Sequence, residues 1–237
     1  MARAEEPGPR RIPEATVARL PVYQRILAER LRSGERTVSS EQLAEGAGVN
    51  AAKVRRDLSL LGSFGTRGTG YDTGFLMDQI DRALGVHQDW PVAVVGIGNL
   101  GRALVNSEGF SSRGFRVASL FDRDPSVVGQ VVGGAVVRHV DTIAALPPEE
   151  CPAVGVVATP ASVAQEVADA LVAAGVPSIL NFAPCVLRVP PHVLLRYVDL
   201  SIELQVMSFY LTRQAVDEVA GPAGALWRAV GLSAPPG

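Results

Sequence analysis

Three glycines spaced for phosphate binding follow an apolar run between Val92 and Gly101. The run has the pattern of a buried strand, and Gly96, Gly98 and Gly101 follow it as G-x-G-x-x-G. In that motif the first glycine makes a tight turn, the second admits a pyrophosphate, and the third packs a helix against the sheet. N–H groups at the start of that helix would face the phosphate. The stretch predicts a dinucleotide site; the alternative is a glycine turn that serves packing alone.

An acidic residue ends the next strand candidate. Asp122 stands 21 residues after Gly101, where a carboxylate can hydrogen-bond both ribose hydroxyls of an adenosine. The alternative is a carboxylate that only caps the turn before Pro125. Arg123 could accept a 2′-phosphate, but Asp122 and Asp124 flank it and would repel that dianion, so the pattern favours NAD over NADP.

Alternating strands and helices must position these residues. Strand candidates at 115–121, 135–138, 153–158, 176–182 and 196–199, with helical patterns between most of them, predict a doubly wound parallel sheet. Ligands of such sheets bind at the carboxyl ends of strands, where turn-forming Thr-Pro and Ala-Pro pairs also occur. The predicted nucleotide-contacting set is Gly96, Ile97, Gly98, Asn99, Leu100, Gly101, Asp122, Arg123, His139 near the adenine, and Thr159, Pro160, Asn181, Phe182 and Ala183.

Short amphipathic helices precede this segment. Pro21 opens the first helix, and Ser39 with Gln42 makes a capping box for the second. Asn50 caps a third helix, on which apolar residues line one face. Two short helices joined by a glycine turn at Gly48 predict a helix-turn-helix.

Basic side chains lie on the exposed face of the third helix and in the ribbon after it. Lys53, the only lysine of the chain, precedes Arg55 and Arg56, and Arg67 stands near the tip of a glycine-rich hairpin at 62–71. That hairpin has the composition of a winged-helix wing, so Arg67 could enter a minor groove. A solvated charged face and an ordinary hairpin are the alternatives. The predicted DNA-contacting set is Ser39, Asn50, Lys53, Arg55, Arg56, Ser59 and Arg67.

Composition narrows the classes of function. Residues 1–72 hold 12 Lys and Arg against 9 Asp and Glu, whereas residues 73–237 hold 10 against 15, so a basic head joins an acidic body. A basic head favours an anionic partner. Cys151 and Cys185 are 34 residues apart without metal-ligand spacing, so no metal site is expected. The absence of an apolar run of about 20 residues or of a signal peptide predicts a cytoplasmic protein.

The C-terminal helix expected from Leu200 to Val219 is apolar nearly all round its first turns. Such a helix must bury more than one face, which predicts packing into a second subunit; an intramolecular core helix is the alternative. The expected organisation is a flexible arm at 1–12, a winged-helix domain and linker helix at 13–85, a Rossmann domain at 86–199, a dimerisation helix at 200–220 and a flexible tail at 221–237.

These features together resemble the Rex family of redox-sensing transcriptional repressors. The resemblance covers residues 13–215 and is carried by Val-Arg-Arg-Asp-Leu-Ser at 54–59, the hairpin at 62–71, the glycine motif at 96–101, Leu-Asn-Phe-Ala-Pro at 180–184 and Val-Asp-Leu-Ser at 198–201. It implies an α/β homodimer with domain-swapped C-terminal helices that binds operator DNA and responds to NADH and NAD⁺. It also implies a relay through Arg25 and Asp199. Ser107 stands where many relatives have Tyr, which leaves the middle of that relay open.

The resulting hypothesis is a repressor released from DNA when NADH occupies the Rossmann domain. A small NAD-dependent oxidoreductase with an added helical head is the alternative. A Tyr-x-x-x-Lys dehydrogenase is excluded because Lys53 lies outside the nucleotide segment, and no histidine has an evident Asp or Arg partner for acid–base work. A CoA-binding module is a third class of function. Asp122 argues against it, because a carboxylate at this position favours a ribose with two free hydroxyls.

Overall fold

The computed structural model describes residues 12–62, 64 and 70–219, with side chains through residue 213. The described chain forms two compact units: one comprises the residues up to Trp90 with Ser107–Arg116, and the other comprises Pro91–Asn106 with the residues from Val117 onward. The expected arm, the expected tail and Arg67 with most of its hairpin lie outside the described residues.

The N-terminal elements are short. In chain order they are α1 (Glu14–Val17), α2 (Leu20–Arg32), β1 (Thr37–Val38), α3 (Ser40–Ala47), α4 (Ala51–Leu61), β2 (Tyr71–Asp72) and α5 (Thr73–Leu84). Antiparallel β1 and β2 pair Thr37 with Asp72 and Val38 with Tyr71. One apolar cluster joins the helices to β1, with Leu27, Leu43 and Val54 fully buried.

Local signals in the sequence set the ends of α3 and α4. The Ser39 hydroxyl accepts from the Gln42 backbone N–H, and the Gln42 side chain accepts from that of Ser39, which completes the predicted capping box. The Asn50 side chain caps α4 at Lys53. Gly48 ends α3 in the left-handed conformation, at φ 64°, which glycine adopts without steric cost. The predicted helix-turn-helix is therefore present.

The C-terminal elements alternate strand and helix. They are β3 (Trp90–Val95), α6 (Asn99–Val105), α7 (Glu108–Ser111), β4 (Phe115–Asp122), β5 (Val131–Val132), β6 (Ala135–His139), β7 (Val154–Val157), α8 (Ala161–Ala173), β8 (Ser178–Asn181), β9 (Leu194–Tyr197) and α9 (Leu200–Val219). Within the described residues these strands form a seven-stranded sheet in the order β5-β6-β4-β3-β7-β8-β9. The pairs β4–β6, β3–β7, β7–β8 and β8–β9 are parallel, as predicted.

One edge of this sheet departs from the prediction. Strand β5 pairs antiparallel with β6 through a two-residue turn at Gly133 and Gly134, both of which have positive φ. A Gly-Gly pair between apolar residues forms the turn that antiparallel hairpins favour, so this short edge strand, which the sequence analysis did not predict, is added antiparallel to an otherwise parallel arrangement. The last strand also lies two residues earlier than expected, because Asp199 caps the following helix.

The side chains of α9 are exposed from Leu200 to Arg213. Leu204 is 64% exposed, Leu211 64% and Tyr210 61%. The alternative of an intramolecular core helix was therefore wrong, and the predicted subunit contact stays a prediction. Among the described residues no helix is long and apolar enough to cross a membrane.

Candidate functional site

Two glycines of the predicted phosphate turn are required by packing. Gly96 follows β3 at φ 93°, and a Cβ there would lie 2.6 Å from the Ala158 carbonyl oxygen. A Cβ on Gly101 would lie 1.9 Å from the Gly96 carbonyl oxygen. Both distances are far below van der Waals contact, so any larger residue would force the turn and α6 away from the sheet.

Gly98 differs from its two neighbours in the motif. Its φ is −75°, which any residue can adopt. Apart from its chain neighbours, no atom of the described residues lies within 4 Å of the position a Cβ would take. Packing therefore does not explain this glycine. An open backbone at the second position of the motif is what the approach of a pyrophosphate requires.

Asp122 holds the turn together through both of its carboxylate oxygens. Oδ2 accepts a hydrogen bond of 2.6 Å from the backbone N–H of Ile97, and Oδ1 accepts one of 2.9 Å from that of Asp124. The second contact is the turn cap that the sequence left open as an alternative. Each oxygen keeps a lone pair beyond these bonds, so the carboxylate can still accept from ribose hydroxyls.

A cavity of about 750 Å³ opens at the carboxyl ends of the strands. Its size suits a bound small molecule or cofactor. Of the predicted nucleotide-contacting residues, it brings together Gly96, Ile97, Gly98, Asp122, Arg123, His139, Thr159 and Pro160. Asn99, Leu100 and Gly101 form the first turn of α6 instead.

The buried hydroxyl of Thr159 supports a ligand in this cavity. Its Oγ1 is enclosed and has no hydrogen-bond partner among the described residues, whereas buried polar atoms of native proteins are nearly always paired. Thr159 lies directly after β7 and lines the cavity. A hydroxyl, phosphate or amide of a bound molecule would supply the partner that the described part of the chain does not.

The predicted residues at the end of β8 and directly after it, Asn181, Phe182 and Ala183, do not line this cavity. Asn181 is 1% exposed, and its amide donates to the carbonyls of Ala183 and Cys185 and accepts from the Ala183 N–H. This side chain therefore holds its own loop. Phe182 is half-buried, and its N–H donates to the Val157 carbonyl on the neighbouring strand.

Acidic groups dominate the charged wall of the cavity. Asp122, Asp124, Asp141 and Glu166 line it, together with Arg123 and His139. Hydrogen bonds from the Ser126 hydroxyl and N–H lower the pKa of Asp124, which keeps it anionic. This wall repels an additional phosphate, in line with the preference for NAD over NADP. Glu166 was not foreseen, because its place depends on how α8 packs.

The face of α4 carries the predicted cations. Lys53, Arg55, Arg56 and Ser59 are all exposed, and Arg55 makes a 3.1 Å ion pair with Glu41 on α3. The Ser39 hydroxyl and the Asn50 amide oxygen are occupied as helix caps. Arginine and lysine side chains on one exposed helix face can contact phosphates and base edges of a DNA major groove.

The residues of the implied relay occupy separate elements. Arg25 is exposed on α2, in the first compact unit. Ser107 belongs to the same unit and caps α7, accepting from the Gly109 N–H. Asp199, in the second unit, caps α9 by accepting from the Ser201 N–H and hydroxyl, and these bonds lower its pKa. Among the described residues no cluster of metal-ligating side chains occurs.

The fold and these sites define a class of two-part protein, in which a helix-turn-helix unit is joined to a Rossmann-like nucleotide-binding unit. Residues 11–59 match the family model described as "Putative DNA-binding protein N-terminus". Residues 87–185 match the family model described as "CoA binding domain".

Full-length relatives narrow that class. The chain is 56% identical over 225 residues to the redox-sensing transcriptional repressor Rex of Streptomyces coelicolor, covering 94% of this chain and 87% of that protein. It is 48% identical to Rex of Desulfitobacterium hafniense, covering 86% and 98%. The chain therefore belongs to the Rex family of redox-sensing transcriptional repressors.

Solved structures agree with this assignment. The crystal structure of RSP with β-NAD⁺ and operator DNA matches with a TM-score of 0.82 at 33% identity, covering 91% of this chain and 99% of that one. The RSP complex with β-NADH matches with a TM-score of 0.79 at 32% identity, covering 89% and 99%. The predicted fold, a DNA-binding head with a Rossmann-like parallel sheet, is confirmed.

Proposed function

We propose that this chain is a redox-sensing transcriptional repressor that binds operator DNA and releases it when NADH occupies the cavity of its Rossmann unit. The observation that carries the proposal is that one chain combines a cationic helix-turn-helix with a nucleotide-type cavity, in a family named for repressors. The relatives are named as regulators rather than as enzymes. We extend this to the chain and propose that it catalyses no reaction and acts in the cytoplasm, where operator DNA lies.

We assign one function to each of the expected domains. Residues 13–85 read DNA, residues 86–199 bind NADH or NAD⁺, and residues 200–220 join two copies into a homodimer. The contacts proposed for the dinucleotide are backbone N–H groups around Gly98, the carboxylate of Asp122 and the hydroxyl of Thr159. Each is a group that the protein leaves open, or partly open, toward the cavity.

The coupling requires the two redox forms to bind differently. The nicotinamide ring is positively charged in NAD⁺ and neutral in NADH, so a water-excluding site binds the neutral form at a smaller desolvation cost. We propose that Phe182 and the partner's C-terminal helix enclose the ring, which favours a closed dimer whose recognition helices no longer fit half-sites one DNA turn apart. A shift from 1:99 to 99:1 needs about 5.5 kcal/mol, which two sites share at about 2.8 kcal/mol each.

The deciding experiment measures DNA binding at fixed salt with NADH, NAD⁺ or neither, on fragments from upstream of the protein's own gene and of respiratory genes. Release at NADH concentrations where NAD⁺ has little effect would support the proposal. Equal effects of the two forms would contradict redox sensing. If no specific DNA binding occurs in any of the three states, the alternative hypothesis of a small NAD-dependent oxidoreductase would be favoured.

The match to a CoA-binding family supplies a second candidate ligand. Titration with CoA in the same assay separates the two possibilities. Tight CoA binding without NADH binding would replace the dinucleotide proposal. If CoA binds weakly and NADH displaces it, the dinucleotide proposal is retained.

A further inference from the structure

One carboxylate on the recognition helix α4 points away from the exposed basic face. Asp57 is 2% exposed, although Arg55, Arg56 and Ser59 around it on the same helix are exposed. It is therefore a buried acid on the element that carries the proposed DNA contacts.

Four hydrogen bonds satisfy this carboxylate. Oδ1 accepts from the Thr16 hydroxyl at 2.9 Å and from Nη2 of Arg19 at 2.8 Å. Oδ2 accepts from Nε of Arg19 at 2.7 Å and from the Tyr23 hydroxyl at 2.9 Å. The Arg19 guanidinium thus binds the carboxylate in a bidentate manner, which fixes the relative orientation of the two groups as well as their distance.

The donors come from a segment that contributes no predicted DNA contact. Thr16 lies on α1, Arg19 precedes α2, and Tyr23 lies on the buried face of α2. The network therefore joins the start of the described chain to the helix that presents Arg55 and Arg56.

Stability alone does not explain a charge at this position. Burying a paired charge costs desolvation that often cancels the attraction, and an apolar set of similar volume is frequently as stable. A carboxylate that accepts four hydrogen bonds restrains orientation in a way that apolar packing does not, because hydrogen bonds weaken steeply with misalignment. It restricts rotation of α4 about its own axis.

That rotation matters for sequence readout. A turn of roughly 20° moves a group about 6 Å from a helix axis by about 2 Å. Such a displacement breaks a hydrogen bond to a base edge but leaves a long arginine near some phosphate. The orientation of α4 should therefore affect specific binding much more than non-specific binding.

We propose that Asp57 is a positioning residue, which, through Arg19 and Tyr23, sets the rotation of the recognition helix and thereby the discrimination between operator and other DNA. The proposal rests on the proposed DNA-reading function. It assigns a role in specificity to the segment from Thr16 to Tyr23, ahead of the helix-turn-helix itself.

The test compares specific with non-specific affinity. The specific probe is the duplex that the wild-type chain enriches from a random library, and the non-specific probe is its scrambled form at equal length and salt. We expect Asp57→Asn to lower specific affinity about tenfold to a hundredfold and non-specific affinity less than twofold, below the melting temperature of every variant. Arg82→Met, which removes an exposed ion pair on α5 of the same unit, is the matched control and should change neither.

A second variant separates positioning from stability. The apolar pair Arg19→Met with Asp57→Leu should regain much of the stability lost in Asp57→Asn without regaining discrimination. The positioning role would be overturned if the double variant regains discrimination between the two probes together with stability. It would also be overturned if Asp57→Asn keeps that discrimination. A wild-type chain that enriches no duplex would overturn the DNA-reading function, and this inference with it.

Discussion

The backbone N–H of Ile97 donates a 2.6 Å hydrogen bond to Oδ2 of Asp122. This contact joins the phosphate turn after β3 to the acid that ends β4, so one carboxylate serves both the shape of the turn and the proposed ribose contact. Changing Asp122 should therefore affect nucleotide binding in two ways at once.

Asp122→Ala should weaken NADH binding about tenfold to a hundredfold, because hydrogen bonds to a charged group contribute about 1.5–3 kcal/mol. Fluorescence titration of NADH measures the effect. Asp169→Ala, on the exposed side of α8, is the control and should bind as wild type. Unchanged affinity in Asp122→Ala would exclude the carboxylate from the site.

The glycines of the motif should separate binding from stability. Gly98→Ala should weaken NADH binding at least about tenfold and change the free energy of unfolding by less than about 1 kcal/mol, because the added methyl group would meet no atom of the described chain beyond its immediate neighbours. Gly101→Ala should destabilise by about 3 kcal/mol or more, since its Cβ would meet a backbone oxygen. Denaturant unfolding and NADH titration of both variants test this. Equal destabilisation would contradict a ligand role for Gly98.

Arg56 should contribute to DNA binding through its charge. Arg56→Ala should weaken binding to operator DNA and lower the slope of log affinity against log salt by about one, as expected for one lost phosphate contact. A salt series of binding titrations measures the slope, with Arg82→Ala as a control of equal charge change. A slope identical to wild type would place Arg56 outside the interface.

The contribution of Asp57 to stability should depend on pH. Burial raises the pKa of Asp57, but hydrogen bonds from Arg19, Tyr23 and Thr16 outweigh it and hold the pKa below its ordinary value. The stability that this depressed pKa contributes is fully present above the unfolded pKa near 4 and is lost as pH falls through the folded value. The difference in free energy of unfolding between wild type and Asp57→Asn should thus shrink as pH drops below about 4. A difference constant from pH 7 to pH 3 would contradict this linkage.

The same network acts on Tyr23. Burial, assisted by the hydrogen bond to Asp57, raises the pKa of Tyr23 to about 12. The hydroxyl therefore stays protonated and remains a donor to the carboxylate at any pH where the protein would be assayed.

Helix α9 should mediate assembly. Introducing glutamate at Leu204 and Leu211 together should convert dimer to monomer, because an apolar interface does not accept unpaired charges. Sedimentation velocity distinguishes the two states. Gln205→Glu adds charge off the apolar stripe and should leave the dimer intact. A double variant that still dimerises would place the subunit contact elsewhere.

The sequence predicted best where a local rule fixes the geometry. The Ser39 capping box, the Asn50 cap and the glycine turn each depend on residues a few positions apart, and each is present. The Gly133-Gly134 hairpin was equally local and could have been predicted from its turn residues.

The remainder depended on contacts that no spacing reveals. Asn181 had the right residue type and strand position for a ligand contact, yet its amide is occupied by backbone of its own loop. Glu166 reaches the cavity only because α8 packs where it does. The sequence analysis assigned no separate role to Asp57, because its partners Thr16, Arg19 and Tyr23 lie 34 to 41 residues away in the chain and meet it only in the fold.

The exposure of α9 has a consequence for the thermodynamics of the whole chain. If its apolar side chains are covered by a second copy, folding and association form one equilibrium, and mass action makes the melting temperature rise with protein concentration. Each tenfold increase in total protein would then add about 1.4 kcal/mol per mole of dimer. When the concentration of such a repressor in the cell falls, its occupancy of DNA falls, and so does its stability against unfolding.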